Sequence, residues 1–84
     1  MHDLYLAKQI SDLVISYTKK YKLKKITKIR IELGRLVEHG EEISPKNLRY
    51  FLKLLTKGTK AAQAKIEIKK IRGCYWRIKE IVGK

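Results

Sequence analysis

Cysteine is almost missing from this 84-residue chain. Cys74 stands alone, which excludes an internal disulfide and fits a reducing compartment. Histidine is nearly as scarce, with His2 and His39 the only two. No Ser/His/Asp or Cys/His catalytic set can be assembled from them, so an enzyme is not expected. Apolar runs never approach the roughly 18 residues needed to span a bilayer, so no membrane role is expected. The start, Met1-His2-Asp3 followed by an amphipathic pattern, also lacks the basic opening and continuous apolar stretch of a signal peptide, which points to the cytoplasm. Length limits chemistry too. A single domain spanning 1–84 is near the size at which one core barely offsets chain entropy, so a small binding module is expected rather than a buried catalytic cleft.

Acidic residues are the next shortage. Eight Asp and Glu face 21 Lys and Arg, a formal charge of +13. That charge draws the domain towards polyanions at low salt. Abundant Lys beside Ile, with few Gln, Cys and Met, is equally a composition of hyperthermophile surfaces that bind no nucleic acid.

Leu6, Ile10, Leu13, Val14, Tyr17 and Tyr21 recur at helical spacing, predicting an amphipathic helix over 4–21. From Ile29 the chain alternates strictly, so Ile29, Ile31 and Leu33 share one strand face and Lys28, Arg30 and Glu32 the other, with Gly34 ending the strand. Residues 35–43 read as a polar loop. Ser44-Pro45 reads as an N-cap followed by proline in the first turn, and Leu48, Phe51, Leu52 and Leu55 form the stripe of a second helix, terminated by Gly58. Lys65–Lys69 alternates as a strand with Ile66 and Ile68 inward. A last strand over 75–82 places Trp76, Ile78 and Val82 inward, although Glu80 and Ile81 break its alternation, and Arg72-Gly73 suits a tight hairpin before it. The order α-β-α-β-β predicts an α+β fold, two helices packed on one face of a three-stranded sheet. Its other face would carry Lys28, Arg30, Lys65, Glu67, Lys69, Arg77 and Lys79 with Tyr75, a solvated surface or one on which a base could stack.

Two places concentrate potential metal ligands. At the amino terminus, the Met1 amine, the His2 backbone nitrogen, the His2 imidazole and a group from Asp3 can wrap a divalent ion in a tetragonal plane. Nitrogen-rich sites of that geometry suit Ni(II) and Cu(II). In the polar loop, Glu38, His39, Glu41 and Glu42 gather further donors in an otherwise basic chain.

Four stretches, in order, resemble the HypA/HybF family of hydrogenase and urease nickel-insertion factors. They are Met1-His2-Asp3-Leu4 with Ala7 and Ile10; Ile29 to Leu36, ending Gly34-Arg35-Leu36; Ser44-Pro45-Lys46-Asn47-Leu48-Arg49-Tyr50-Phe51; and Thr56-Lys57-Gly58-Thr59 running on through Ala64-Lys65-Ile66-Glu67-Ile68. The resemblance implies a nickel-binding α+β domain with nickel(II) held by Met1, His2 and Asp3, the last standing where the family usually has Glu. It implies maturation of nickel-iron hydrogenase, with a GTPase maturation partner and the hydrogenase large subunit as partners. Glu38 and His39 are candidate additional ligands. Ser44 stands where the family often has an acidic residue.

The family also carries an inserted zinc ribbon built on two Cys-x-x-Cys pairs. One cysteine cannot supply four ligands, so no structural zinc is expected and the ribbon is expected to be absent. Gly73 to Ile81 resembles the strand that follows it, which favours a deletion over a chain cut short. Cys74 then reads as a structural thiol at a hairpin, and Trp76 as core. Two other functions stay open: a small basic nucleic-acid-binding protein, and a metal-free paralogue that docks a protein through Ile15, Tyr50 and Leu54.

Overall fold

The structure, a computed structural model, describes residues 2–38 and 40–84, without the side chains of His2 and Glu38. Helix α1 (His2–Lys20) is followed by strand β1 (Ile26–Leu33), a small hairpin of β2 (Val37–Glu38) and β3 (Glu41–Glu42), helix α2 (Pro45–Leu55), and strands β4 (Lys65–Lys70) and β5 (Trp76–Gly83). Both helices cover one face of a three-stranded sheet, as the alternating and helical patterns require. Leu6, Ala7, Ile10 and Val14 of α1, Leu48 and Leu52 of α2, Ile26, Ile29, Ile31 and Leu33 of β1, and Ile66 of β4 form one continuous core.

Each helix stops for a local reason. At the end of α1 the Leu23 amide donates to the Thr18 carbonyl (3.0 Å) and the Lys22 amide to that of Lys19 (3.3 Å). This is a Schellman cap, with Lys22 at φ +53° in the left-handed position where glycine is usual. Helix α2 opens on Ser44, whose hydroxyl accepts from the Asn47 amide at 3.0 Å, with Pro45 in the first turn. It ends on Thr56, not on Gly58. Gly58 is left-handed (φ +76°) but sits in the turn that follows.

Sheet order is β4-β1-β5, with β1 parallel to β4 and antiparallel to β5. This corrects the expected hairpin at Arg72-Gly73. Strands β4 and β5 lie on opposite sides of β1, so residues 71–75 reverse the chain by crossing over its end and the two strands do not pair as a hairpin. The Ile71 amide bonds the Leu33 carbonyl (3.0 Å), while the Gly34 and Arg35 amides bond the Tyr75 and Gly73 carbonyls (2.7 and 2.8 Å). Cys74 is exposed on this crossover, not a structural thiol at a hairpin.

The broken alternation of the last strand is a bulge. Ile31 pairs with Ile78 and Arg30 with Glu80, leaving Lys79 as the extra residue. The phase then flips, so Ile81 packs against the core and Val82, expected inward, is exposed. In α1 the buried face centres on Ala7, Ile10 and Val14, which leaves Leu13 exposed at its margin, and Tyr21, also counted in the apolar stripe, is exposed in the turn just past the helix end.

Candidate metal site

Helix α1 begins at His2, two residues earlier than the periodicity predicts, so Asp3 falls in its first turn. That position matters chemically. The first four amides of an α-helix have no carbonyl four residues back, so the His2 nitrogen and its neighbours are free of intrahelical bonds. A metal replacing the proton of such an amide breaks no helix hydrogen bond. The helix dipole places partial positive charge there, which favours a deprotonated amide.

The loop predicted over 35–43 is shaped by the β2–β3 hairpin, in which Val37 pairs with Glu42 and Glu38 with Glu41. Gly40, at φ +81°, makes its turn. The hairpin lies beside the start of α1. A groove of about 320 Å³ is lined from one side by Tyr5, Leu6 and Gln9 and from the other by Leu36, Val37, Ile43 and Trp76. The element carrying His2 and Asp3 therefore shares a groove with the element carrying Glu38. Met1, His39 and the side chains of His2 and Glu38 lie outside the described residues. Among the described residues no three His, Cys, Asp or Glu side chains form a metal cluster.

Glu42 is used elsewhere. Its carboxylate accepts from Lys70 Nζ at 2.8 Å and lies 3.5 Å from Arg35 Nε, tying β3 to the end of the sheet. The Lys70 hydrogen bond, its charge and that of Arg35 hold the Glu42 carboxyl below the usual carboxylate range. Lys70 also donates to the Gly34 carbonyl at 3.3 Å. Sequence patterning missed this brace, because Lys70 lies 28 residues along the chain from Glu42. It also missed the groove, whose exposed Tyr5 and Val37 carry no motif.

The outer sheet face is a network of ion pairs. Glu67 lies within 3.4–3.7 Å of Lys28, Lys65 and Arg30, and Arg30 also reaches Glu80 at 3.5 Å. Arg77 donates to Glu32, and Lys79 lies 3.8 Å from the same carboxylate. The Arg77 hydrogen bond holds the Glu32 carboxyl below the usual carboxylate range against the effect of burial.

Compared with known proteins, residues 1–76 match the family described as hydrogenase/urease nickel incorporation, metallochaperone, HypA. The chain belongs to the HypA family. A HypA hydrogenase maturation factor of Legionella pneumophila is 33% identical over 73 residues, covering 87% of this chain and 61% of that protein. One of Methanobrevibacter smithii is 34% identical over 71 residues, covering 84% of this chain and 54% of the relative. The chain thus spans little more than half the length of the curated relatives it matches. The solution structure of the nickel metallochaperone HypA from Helicobacter pylori has the same fold, with TM-score 0.70 at 11% identity, covering all of this chain and 87% of that one. No helix among the described residues is long and apolar enough to cross a membrane.

Proposed function

We propose that this protein is a nickel-binding accessory module in the maturation of nickel-iron hydrogenase, carrying Ni(II) as cargo and not as a resident cofactor. Family membership over residues 1–76 is the observation that carries this reading. The placement of His2 at the first position of α1 supports it. The donors are the Met1 amine, the His2 backbone nitrogen and imidazole, and Asp3, with Glu38 and His39 available from the neighbouring hairpin. Such a site suits delivery, because a metal held at a helix end is reachable by an incoming ligand set. Protons compete with the metal for the amine and the imidazole, so the site releases metal in acid.

In this reading the protein is a cytoplasmic carrier without catalytic activity. Its partners are a GTPase maturation factor and the hydrogenase large subunit. Structural zinc does not fit the chain, whose one cysteine leaves a four-thiolate site three ligands short. The crossover 71–75 is read as the direct join of strands between which the family carries its ribbon.

A nucleic-acid role gains little from the sheet. Glu32, Glu67 and Glu80 already pair with Lys28, Arg30, Lys65, Arg77 and Lys79 on the face that would meet the bases. Transfer tests the delivery reading: protein loaded with one equivalent of radioactive Ni(II) is mixed with the apo GTPase partner or apo large subunit and separated by gel filtration. Movement of nickel to either partner faster than from a free nickel-histidine complex supports delivery. Equal rates from both sources would refute it.

A further inference from the structure

The charge of the molecule is unevenly placed. Residues 13–31 contain no Asp or Glu, and neither do residues 43–66. The fold brings parts of these two stretches together: the Ile26 amide donates to the Lys60 carbonyl at 2.9 Å, and Lys60 Nζ donates to the Leu23 carbonyl at 3.0 Å. Lys19, Lys20, Lys22, Lys24, Lys25 and Lys60 are therefore gathered at the carboxyl end of α1, all exposed. Among the described residues none of them pairs with a carboxylate, unlike the cations of the outer sheet face. Lys19 and Lys20 offset the helix dipole. Lys60 holds the Leu23 carbonyl through one of its three protons, and Lys22, Lys24 and Lys25 have no such local duty.

Between these lysines lies a dimple of about 190 Å³ lined by Ile15, Thr18, Lys19, Thr59, Lys60 and Ala61. Its two hydroxyls are already used. Thr18 Oγ1 donates to the Val14 carbonyl (2.8 Å), and Thr59 Oγ1 donates to the Thr56 carbonyl (2.6 Å) and accepts from the Ala61 amide (3.1 Å). What remains is a wall of methyl and methylene groups under a cationic rim. Tyr17 and Tyr21 lie ring to ring at 4.6 Å with Lys20 Nζ 5.4 Å from the Tyr21 ring, so they are occupied with one another and not splayed as a platform for bases.

We infer that this end of the molecule docks an acidic peptide segment of a partner protein, which seats one large apolar side chain in the dimple and sets its carboxylates against Lys19 and Lys60. An apolar anchor in a small pocket with a charged rim is how a compact surface gains both affinity and orientation. The site is independent of the nickel reading. Ile15 lies thirteen residues along α1 from His2, roughly 20 Å at 1.5 Å per residue, so a docked partner leaves the amino terminus open.

Fluorescence anisotropy on the full chain tests this with the labelled peptide Asp-Asp-Glu-Glu-Phe-Glu-Glu-Asp, the same peptide with Ser for Phe, and an oligothymidylate of equal charge. Phe should bind at least about tenfold more tightly than Ser, the fold-change expected for burying one large apolar side chain. The pair Lys19→Glu with Lys60→Glu should weaken the Phe peptide at least about tenfold, while Lys46→Glu with Arg49→Glu on α2 should change it by less than about threefold. The Phe and Ser comparison needs no variant and holds even if a charge reversal disturbs folding. Equal binding of the two peptides would overturn the inference. So would equal losses in both variant pairs, or tighter binding of the oligothymidylate, which would make this end a general or nucleic-acid polyanion surface.

Discussion

Gly34 and Gly73 meet backbone to backbone where the chain crosses the end of β1: a Cβ on Gly34 would lie 2.5 Å from the Gly73 carbonyl oxygen and 2.6 Å from that of Tyr75. Both carbonyls are fixed, since they accept from the Arg35 and Gly34 amides. The clash cannot be relieved by turning a side chain. Gly34→Ala should therefore cost about 1–3 kcal/mol, the usual range for overpacking a close contact. For a domain of this size that lowers the melting temperature by roughly 4–8 °C per kcal/mol. Thermal denaturation followed by circular dichroism reads it directly, and an unchanged melt would mean the crossover is not held as described.

Glu32, Glu42 and Glu67 are all held below the ordinary carboxylate value of 4.5. For Glu32 and Glu42 the largest cause is a hydrogen bond from a cation. For Glu67, burial pulls upward and is outweighed by the hydrogen bond from Lys28 together with the charges of Lys28, Lys65 and Arg30. A carboxylate with a depressed folded value adds stability that is present above its unfolded value and is lost as pH falls through the folded one. The melting temperature should thus drop most steeply below pH 4.5. Glu32→Gln should lower it at pH 7 and flatten the acid limb, which melts across pH 2–7 would reveal.

Lys22 sits in a left-handed conformation that costs an ordinary residue about 1–2 kcal/mol. Lys22→Gly should keep the cap and remove much of that strain. Urea denaturation is expected to show a gain of about 1 kcal/mol, reduced by the greater freedom of glycine in the unfolded chain. A loss of stability would contradict the cap geometry.

The alternating Ile29-Ile31-Leu33 face and the stripes through Ile10 and Leu48 were enough to predict both helices, the three long strands and the layer arrangement, because burial imposes those periods. Strand order was not legible. The Arg72-Gly73 step has hairpin chemistry, but the parallel pairing of Ile29 with Ile66 puts β5 on the far side of β1, a long-range choice that no local window contains. The bulge at Lys79 was visible as the misplaced Glu80 and Ile81. Its consequence, Ile81 inward and Val82 outward, needed the register. At the candidate site the His2 motif was readable from its position alone, whereas the removal of Glu42 from the pool of ligands by Lys70 and Arg35 required coordinates. The stop of α1 left no glycine signature, because Lys22 takes the place of one.

As a carrier, the protein would hold nickel through donors that exist only when His2 is the second residue of the chain. Ni(II) titration followed by calorimetry and visible absorption, on protein with its native amino terminus, on His2→Ala and on protein extended by a few residues ahead of Met1, tests it most directly. The native protein should bind one equivalent with a square-planar absorption band, and both should be lost in the two variants. Equal binding by all three proteins would contradict it.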